Sequence, residues 1–302
     1  MTTLKIGSIN AATPTPLKPD GSFDKASAKK LCNRWRDIGL DGVFVLGSMG
    51  EGPLLSDEVR NAWVETALQE AGDSLTIFAG AADVSMQRMR ERAVRYAKMG
   101  AHCVVLCIPP KLSPAQAVAD VKAVADVCPS PCAYYDIPEN TGTPLVLNEI
   151  FDILSHGNIK VCKDSSGSSL INRALNMPEI KPRDVFMMDG NEYQTPYSRL
   201  LGYDGVLHGG GVLTGHWVRK IWDLMGQGKI SEAMELDRRK SLFIAKVYNR
   251  FSRPLQNAVG QKYALQLLGA LDNAAVVNGQ TLDDNGRARI KEAVAEYRDL
   301  IG

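Results

Sequence analysis

The chain has 302 residues, 45% of them apolar, with 35 basic against 34 acidic side chains and a net charge of +1. That is enough apolar chain for one large α/β domain with an appendage, and the balanced charge gives no electrostatic basis for partnership with nucleic acid or an anionic membrane. No apolar run approaches the roughly 18 residues that span a bilayer, and Met1-Thr2-Thr3-Leu4-Lys5 carries no secretory pattern, so a cytoplasmic protein is expected.

Strand-like apolar runs recur along the chain at residues 6–12, 41–48, 75–82, 103–109, 132–137, 160–165, 185–190 and 205–209. Stretches with helical spacing separate them. Residues 24–38 place Ala28, Leu31, Cys32, Trp35 and Ile38 on one face, and residues 56–71 open on Ser56 as an N-cap with Val59, Trp63 and Leu68 behind it. Eight alternations of strand and helix fit an α/β (β/α)8 TIM barrel better than an open doubly wound sheet. The barrel is expected to occupy residues 1–225. Residues 226–302 then form a C-terminal extension of three helices, at about 230–249, 254–271 and 284–301. The six cysteines, Cys32, Cys103, Cys107, Cys128, Cys132 and Cys162, include no CxxC pair and are expected to be reduced core residues.

A barrel concentrates its chemistry at the C-terminal ends of its strands. Ser48, Tyr135, Lys163, Glu192 and His208 all fall at or just after such ends. Lys163 closes the run Ile159-Lys160-Val161-Cys162-Lys163. An ammonium withdrawn from water without a partner costs several kcal/mol, so such a lysine tends to lose its proton and become a nucleophile for carbonyl carbon. Pairing with a neighbour such as Asp164 is the alternative. Tyr135, one strand earlier in Cys132-Ala133-Tyr134-Tyr135, suggests a phenol that moves protons, or a core tyrosine. Gly47-Ser48-Met49-Gly50-Glu51 opens a turn whose N–H groups suit a carboxylate. His208-Gly209-Gly210-Gly211 lacks the G-x-S-x-G partner of an esterase, and its glycines miss the dinucleotide spacing.

Together these motifs resemble the pyruvate-dependent class I aldolase family that includes dihydrodipicolinate synthase and N-acetylneuraminate lyase. Thr15-Pro16-Leu17-Lys18-Pro19-Asp20-Gly21 is similar to its T-P-x(4)-G, Gly47 to Glu51 to its G-[TS]-[TSN]-G-E, Tyr135-Asp136-Ile137-Pro138 to its Y-x-x-P, and Ile159 to Gly167 to its lysine strand, with Val161 where glycine is common. The resemblance implies a barrel with a C-terminal helical part, a homotetramer, no cofactor, and pyruvate and an aldehyde as small-molecule partners. It implies Lys163 as the Schiff base, Tyr135 as the proton shuttle, and Ser48 with the Met49 N–H as the carboxylate holder. Asn140, Ser165, Gly190, Glu192, Leu207 and His208 are expected to line the substrate pocket.

Three departures bear on substrate. Pro109-Pro110-Lys111 lacks the tyrosine usual in dihydrodipicolinate synthases, Asn140 stands where they carry arginine, and Met49 cannot relay a proton through its side chain. These argue against that activity itself. The Asn140-Thr141-Gly142 loop and the Gly47-Ser48 pair look more like 4-hydroxy-2-oxoglutarate aldolase, and Tyr134-Tyr135-x-Ile137-Pro138 looks like N-acetylneuraminate lyase. Asn191, Glu192 and Tyr193 depart from the sialic-acid pattern but suit hydroxyls of a sugar-like chain. The leading expectation is a lyase that cleaves a 4-hydroxy-2-oxo acid to pyruvate and an aldehyde, or joins the two. The alternatives are a 2-oxo-3-deoxy sugar acid dehydratase using His208 and Glu192, dihydrodipicolinate synthase, and a non-catalytic 2-oxo acid binder.

Overall fold

The computed structural model describes residues 4–110, 113–182, 184–248, 254–277 and 279–301, without the side chains of 254–256. Lys111 and Asn249, which entered the sequence reading, lie outside the described residues. The strands are β1 (Ile9–Ala12), β2 (Gly42–Val45), β3 (Thr76–Gly80), β4 (Cys103–Cys107), β5 (Cys132–Asp136), β6 (Ile159–Asp164), β7 (Phe186–Asp189) and β8 (Gly205–His208). They close into a barrel in chain order, with every pair parallel, β8 back onto β1 included. The fold is a TIM barrel, as expected.

The helices are α1 (Lys25–Asp37), α2 (Asp57–Ala71), α3 (Met86–Met99), α4 (Pro114–Val127), α5 (Pro138–Thr141), α6 (Leu147–Leu154), α7 (Ser169–Asn176), α8 (Thr195–Leu201), α9 (Gly211–Gly226), α10 (Ile230–Val247), α11 (Pro254–Leu267), α12 (Asp284–Glu296) and α13 (Arg298–Ile301). Side-chain caps fix several starts: Asp24 accepts from Ser27 N, Ser56 from Val59 N, and Ser113 from Gln116 N just before Pro114. The expected face of α1 is fully buried, and Trp35 meets Trp63 of α2 at 5.5 Å between ring centroids. The C-terminal helices dock through an aromatic cluster. Trp217 of α9, Phe243 of α10 and Tyr297 lie 5.7–6.1 Å apart, and the main hydrophobic core runs through them without a break. Among the described residues no helix is long and apolar enough to cross a membrane.

Several boundaries differ from expectation for local reasons. β2 stops at Val45 rather than Ser48, because Leu46 takes a left-handed φ of 65° that ends the ladder. The loop expected at Asn140 is the single helical turn α5, entered on Pro138 and ended by Gly142 at φ 65°. α11 ends at Leu267, short of 271, where Gly269 turns left-handed at φ 73°. The last helix breaks at Tyr297 into α12 and α13.

Candidate active site

Parallel register brings Tyr135 of β5 level with Lys163 of β6, and Lys163 level with Met188 of β7. Alternation along the strands then turns Tyr135, Lys163, Met188 and Leu207 to one face, because Met188 pairs with Gly205, two residues before Leu207. The Lys163 Nζ stands 4.2 Å from the Tyr135 ring centroid and 5.3 Å from that of Phe44. Phe44 meets the Tyr135 ring edge-on at 5.9 Å.

Lys163 is 5% exposed. Burial pushes its amine down to about 7, against weaker upward pulls from Glu192 and Cys107. The contrast with the other buried lysines is informative. Lys240 donates to Asp237 Oδ1 at 2.6 Å, and Lys262 to Glu51 Oε2 at 2.5 Å. Among the described residues Lys163 forms no ion pair. The neighbour considered from the sequence, Asp164, points to the other face, where it accepts from the Tyr203 hydroxyl at 2.6 Å and from Ser166 N at 2.9 Å.

A chain of hydroxyls reaches Tyr135. The Asn140 side-chain amide donates to Ser48 Oγ at 3.1 Å, and the Ser48 and Ser165 hydroxyls stand near enough to the Tyr135 hydroxyl to pull its proton affinity down. Burial holds the phenol well above its ordinary range, with the Cys107 thiol adding to the rise, so Tyr135 rests protonated. Cys107, level with Tyr135 on β4, is itself pushed up to about 12 by burial and stays a thiol.

Met49 is buried, and its backbone N–H has no acceptor among the described residues. Glu51, at φ 55°, closes this turn. Its carboxylate takes Lys262 at one oxygen and the Val277 N–H at the other, 2.8 Å away, so the turn is clamped to α11 and the segment after it. Gly190 makes room for the lysine. A Cβ there would stand 2.0 Å from Ser165 Oγ, 3.0 Å from the Asp164 carbonyl oxygen and 3.2 Å from Lys163 Cε.

The partly buried Glu192 carboxyl accepts from Gly210 N at 2.6 Å, and burial raises it above the usual carboxylate range against the pull of Gly210, Lys240 and Lys163. His208 alternates to the face opposite Leu207. It is buried, neither ring nitrogen has a partner among the described residues, and burial followed by the charges of Lys240 and Lys163 keeps it neutral. Asn140 is exposed at the rim. A cavity of about 200 Å³ opens beside Ser165 and Gly190, walled by Asn172, Asn191 and the residues Asp164 and Asp189. A larger one of about 410 Å³, lined by Pro19 and Tyr263, includes none of these groups in its wall.

The geometry thus joins an uncharged-capable amine, a phenol on a hydroxyl relay, and a turn with a free N–H. Such a set can form an imine with a ketone and move a proton beside it. Lys262, Lys240 and Tyr248 were not singled out from the sequence. Each reaches the site from a helix far along the chain, and a lone polar residue on an amphipathic helix gives no local signal.

The family model described as the dihydrodipicolinate synthetase family matches residues 5–294. A 4-hydroxy-tetrahydrodipicolinate synthase from Dehalococcoides mccartyi (strain ATCC BAA-2100 / JCM 16839 / KCTC 5957 / BAV1) is 26% identical over 97% of both chains. One from Mycolicibacterium gilvum (strain PYR-GCK) is 36% identical over 53% of this chain and 54% of its own. Among solved structures, CdNal from Clostridium difficile in complex with mannosamine superposes with a TM-score of 0.89 at 19% identity, covering 97% of this chain and 99% of that one. Dihydrodipicolinate synthase DapA-2 from Bacillus anthracis gives the same TM-score and coverage at 20% identity. At these identities the structural likeness speaks for the fold, and the near-complete match to the family model carries the assignment: the chain belongs to the dihydrodipicolinate synthetase family.

Proposed function

We propose that the protein is a class I aldolase, a carbon–carbon lyase that works through a Schiff base on Lys163. The observation that carries this reading is the buried amine without a counter-ion among the described residues. With its proton affinity lowered to about 7, roughly half of Lys163 is neutral at pH 7, against about one in 2,500 for a free lysine.

The neutral amine attacks C2 of a 2-oxo acid such as pyruvate, whose carboxylate is held by Ser48 and the Met49 N–H. Loss of water from the carbinolamine leaves a protonated imine. Tyr135 begins protonated, so the new cation matters. A unit positive charge about 4 Å away stabilises a phenolate by about 4 kcal/mol at an effective dielectric near 20. Tyr135 gives its proton to the departing carbinolamine hydroxyl, which leaves as water, and the phenolate so formed takes the proton of a C4 hydroxyl. The C3–C4 bond breaks, its electrons move into the imine, and an aldehyde leaves. Protonation of the enamine at C3 and hydrolysis release pyruvate and restore the amine. The reverse steps join pyruvate to an aldehyde.

Asn140 offers a neutral amide at the rim, and the small cavity beside Ser165 has carboxylates and amides but no cation. This supports an uncharged, hydroxylated aldehyde. Glu192, with its raised carboxyl, favours a second reading, loss of the C4 hydroxyl as water from a 2-oxo-3-deoxy sugar acid. A coupled pyruvate assay across a panel of 4-hydroxy-2-oxo acids, with product analysis, tests both. An aldolase releases pyruvate and a dehydratase does not; release from none of them counts against the aldolase.

The resemblance also implies a homotetramer. Leu170 of α7 and Tyr197 and Leu200 of α8 are exposed and supply apolar surface for contacts between copies. Sedimentation equilibrium tests this directly.

A further inference from the structure

Arg60, in the first turn of α2, is fully buried. Its guanidinium is aimed at neutral acceptors. Nε–H donates to the Tyr96 hydroxyl at 3.1 Å, Nη1 to the Gly52 carbonyl oxygen, and Nη2 to the carbonyl oxygens of Gly80 at 2.9 Å and Ala82 at 3.4 Å. The carboxylates of this neighbourhood are already claimed by other cations. Asp83 pairs with Arg88 and Arg92, Asp57 with Arg92 and Arg95, and Glu51 with Lys262. Among the described residues none pairs with Arg60. A guanidinium does not shed its proton, and a buried charge without a counter-ion is costly.

The acceptors of Arg60 show what it holds. A Cβ at Gly52 would stand 1.9 Å from the Leu46 carbonyl oxygen, and one at Gly80 would stand 2.6 Å from the same atom. Arg60 therefore joins the two backbone stretches that close around Leu46, the left-handed residue that ends β2. Gly52 also closes the turn that carries Ser48 and Met49. Its N–H donates to the Gly47 oxygen at 3.1 Å, and that of Glu51 donates to the Ser48 oxygen at 3.1 Å. The three residues from Met49 to Gly52 span at most about 11 Å when extended, and a closed turn is shorter. Salt screens a buried charge little over that distance. A carboxylate held at Ser48 and the Met49 N–H thus meets the field of a cation that the described carboxylates leave unpaired.

We propose that Arg60 is a positioning residue of the active site. It ties the Gly47–Gly52 turn to the end of β3, and its charge is offset when the carboxylate of a 2-oxo acid binds at that turn. The site therefore selects ionised 2-oxo acids over neutral isosteres through a residue buried behind the turn. The inference rests on the aldolase reading above.

The test titrates the borohydride-trapped adduct with pyruvate and with pyruvamide, its uncharged near-isostere. It uses the parent, Arg60→Met, Arg60→Gln and Tyr96→Phe, with urea unfolding of each chain as the measure of fold. The parent is expected to prefer pyruvate. Both Arg60 variants are expected to lose about tenfold of that preference, the effect of a unit charge about 11 Å away at an effective dielectric near 20. Gln retains an amide donor and Met does not, so a shared loss belongs to the charge. Tyr96→Phe removes one partner of Arg60 but not its charge, and is expected to keep the parental preference. Equal losses for the two ligands in the Arg60 variants would mark Arg60 as a structural tether and overturn the assignment. A loss of preference as large in Tyr96→Phe would overturn it too. A parent that takes pyruvamide as readily as pyruvate overturns it without recourse to any variant. Absence of any adduct in the parent refutes the aldolase reading, and the assignment with it; an adduct whose preference survives the loss of Arg60 refutes the assignment alone.

Discussion

Gly190→Ala tests whether the surroundings of Lys163 are as tightly drawn as the reaction requires. The new methyl would stand 2.0 Å from Ser165 Oγ, far inside contact distance, and 3.2 Å from Lys163 Cε. The serine hydroxyl can rotate away, but it then loses its polar contact with the Tyr135 hydroxyl, at about 1 kcal/mol. The Asp164 carbonyl oxygen, 3.0 Å from the methyl, belongs to the backbone of β6 and cannot rotate. The remaining strain falls on the lysine or on the strand pair, at about 1–3 kcal/mol for an overpacked methyl. If half of that total reaches the transition state, kcat/KM for retro-aldol cleavage falls about 5- to 30-fold. Steady-state kinetics with a pyruvate-coupled assay measures this, and urea unfolding of the same variant separates strain at the site from loss of fold. Unaltered kcat/KM together with unaltered stability would show that Gly190 does not confine Ser165 and Lys163 as described.

The amine should impose its own titration on the first step. The reactive form is the unprotonated one, and its proton affinity is lowered to about 7. The rate of imine formation at fixed pyruvate should therefore rise as pH increases through about 7 and level off above it, and an acid limb near 10 would place the lysine in water. Tyr135→Phe keeps the ring over Lys163 but removes the proton carrier. Pyruvate affinity should stay within several-fold while turnover falls about 100-fold or more, read by adduct titration and by kcat; full turnover would remove the tyrosine from the mechanism. Lys262→Met strands the Glu51 carboxylate. Breaking a buried pair on one side costs about 3–5 kcal/mol in urea unfolding, and pyruvate binding should weaken because Glu51 anchors the Gly47–Gly50 turn. A cost below 1 kcal/mol would show that this clamp bears little load.

Lys163 and Tyr135 were legible in the sequence because a polar residue ending a run of Val, Ile and Cys breaks a pattern that reaches only a few residues. Ser56 was legible for the same reason, since a cap bonds three residues ahead. Glu192 was visible as a polar residue after a strand, but not what holds it. Lys240, which donates to its backbone carbonyl, lies 48 residues further on, and its place on α10 is that of any buried helix face. The Glu51–Lys262 pair joins positions 211 residues apart. Strand ends were overextended where a single backbone torsion decides, as at Leu46, because no side-chain pattern encodes a left-handed leucine. The pocket-facing role of His208 was inferred from its place after β8, whereas alternation turns its ring away from the face that carries Lys163 and Leu207.

The most direct test of the account is the intact mass of the protein after incubation with pyruvate and reduction by borohydride. One covalent increment per chain, mapped to Lys163 and absent from Lys163→Ala, is the predicted result. An unmodified mass with every 2-oxo acid offered, or an increment that persists in Lys163→Ala, would contradict it.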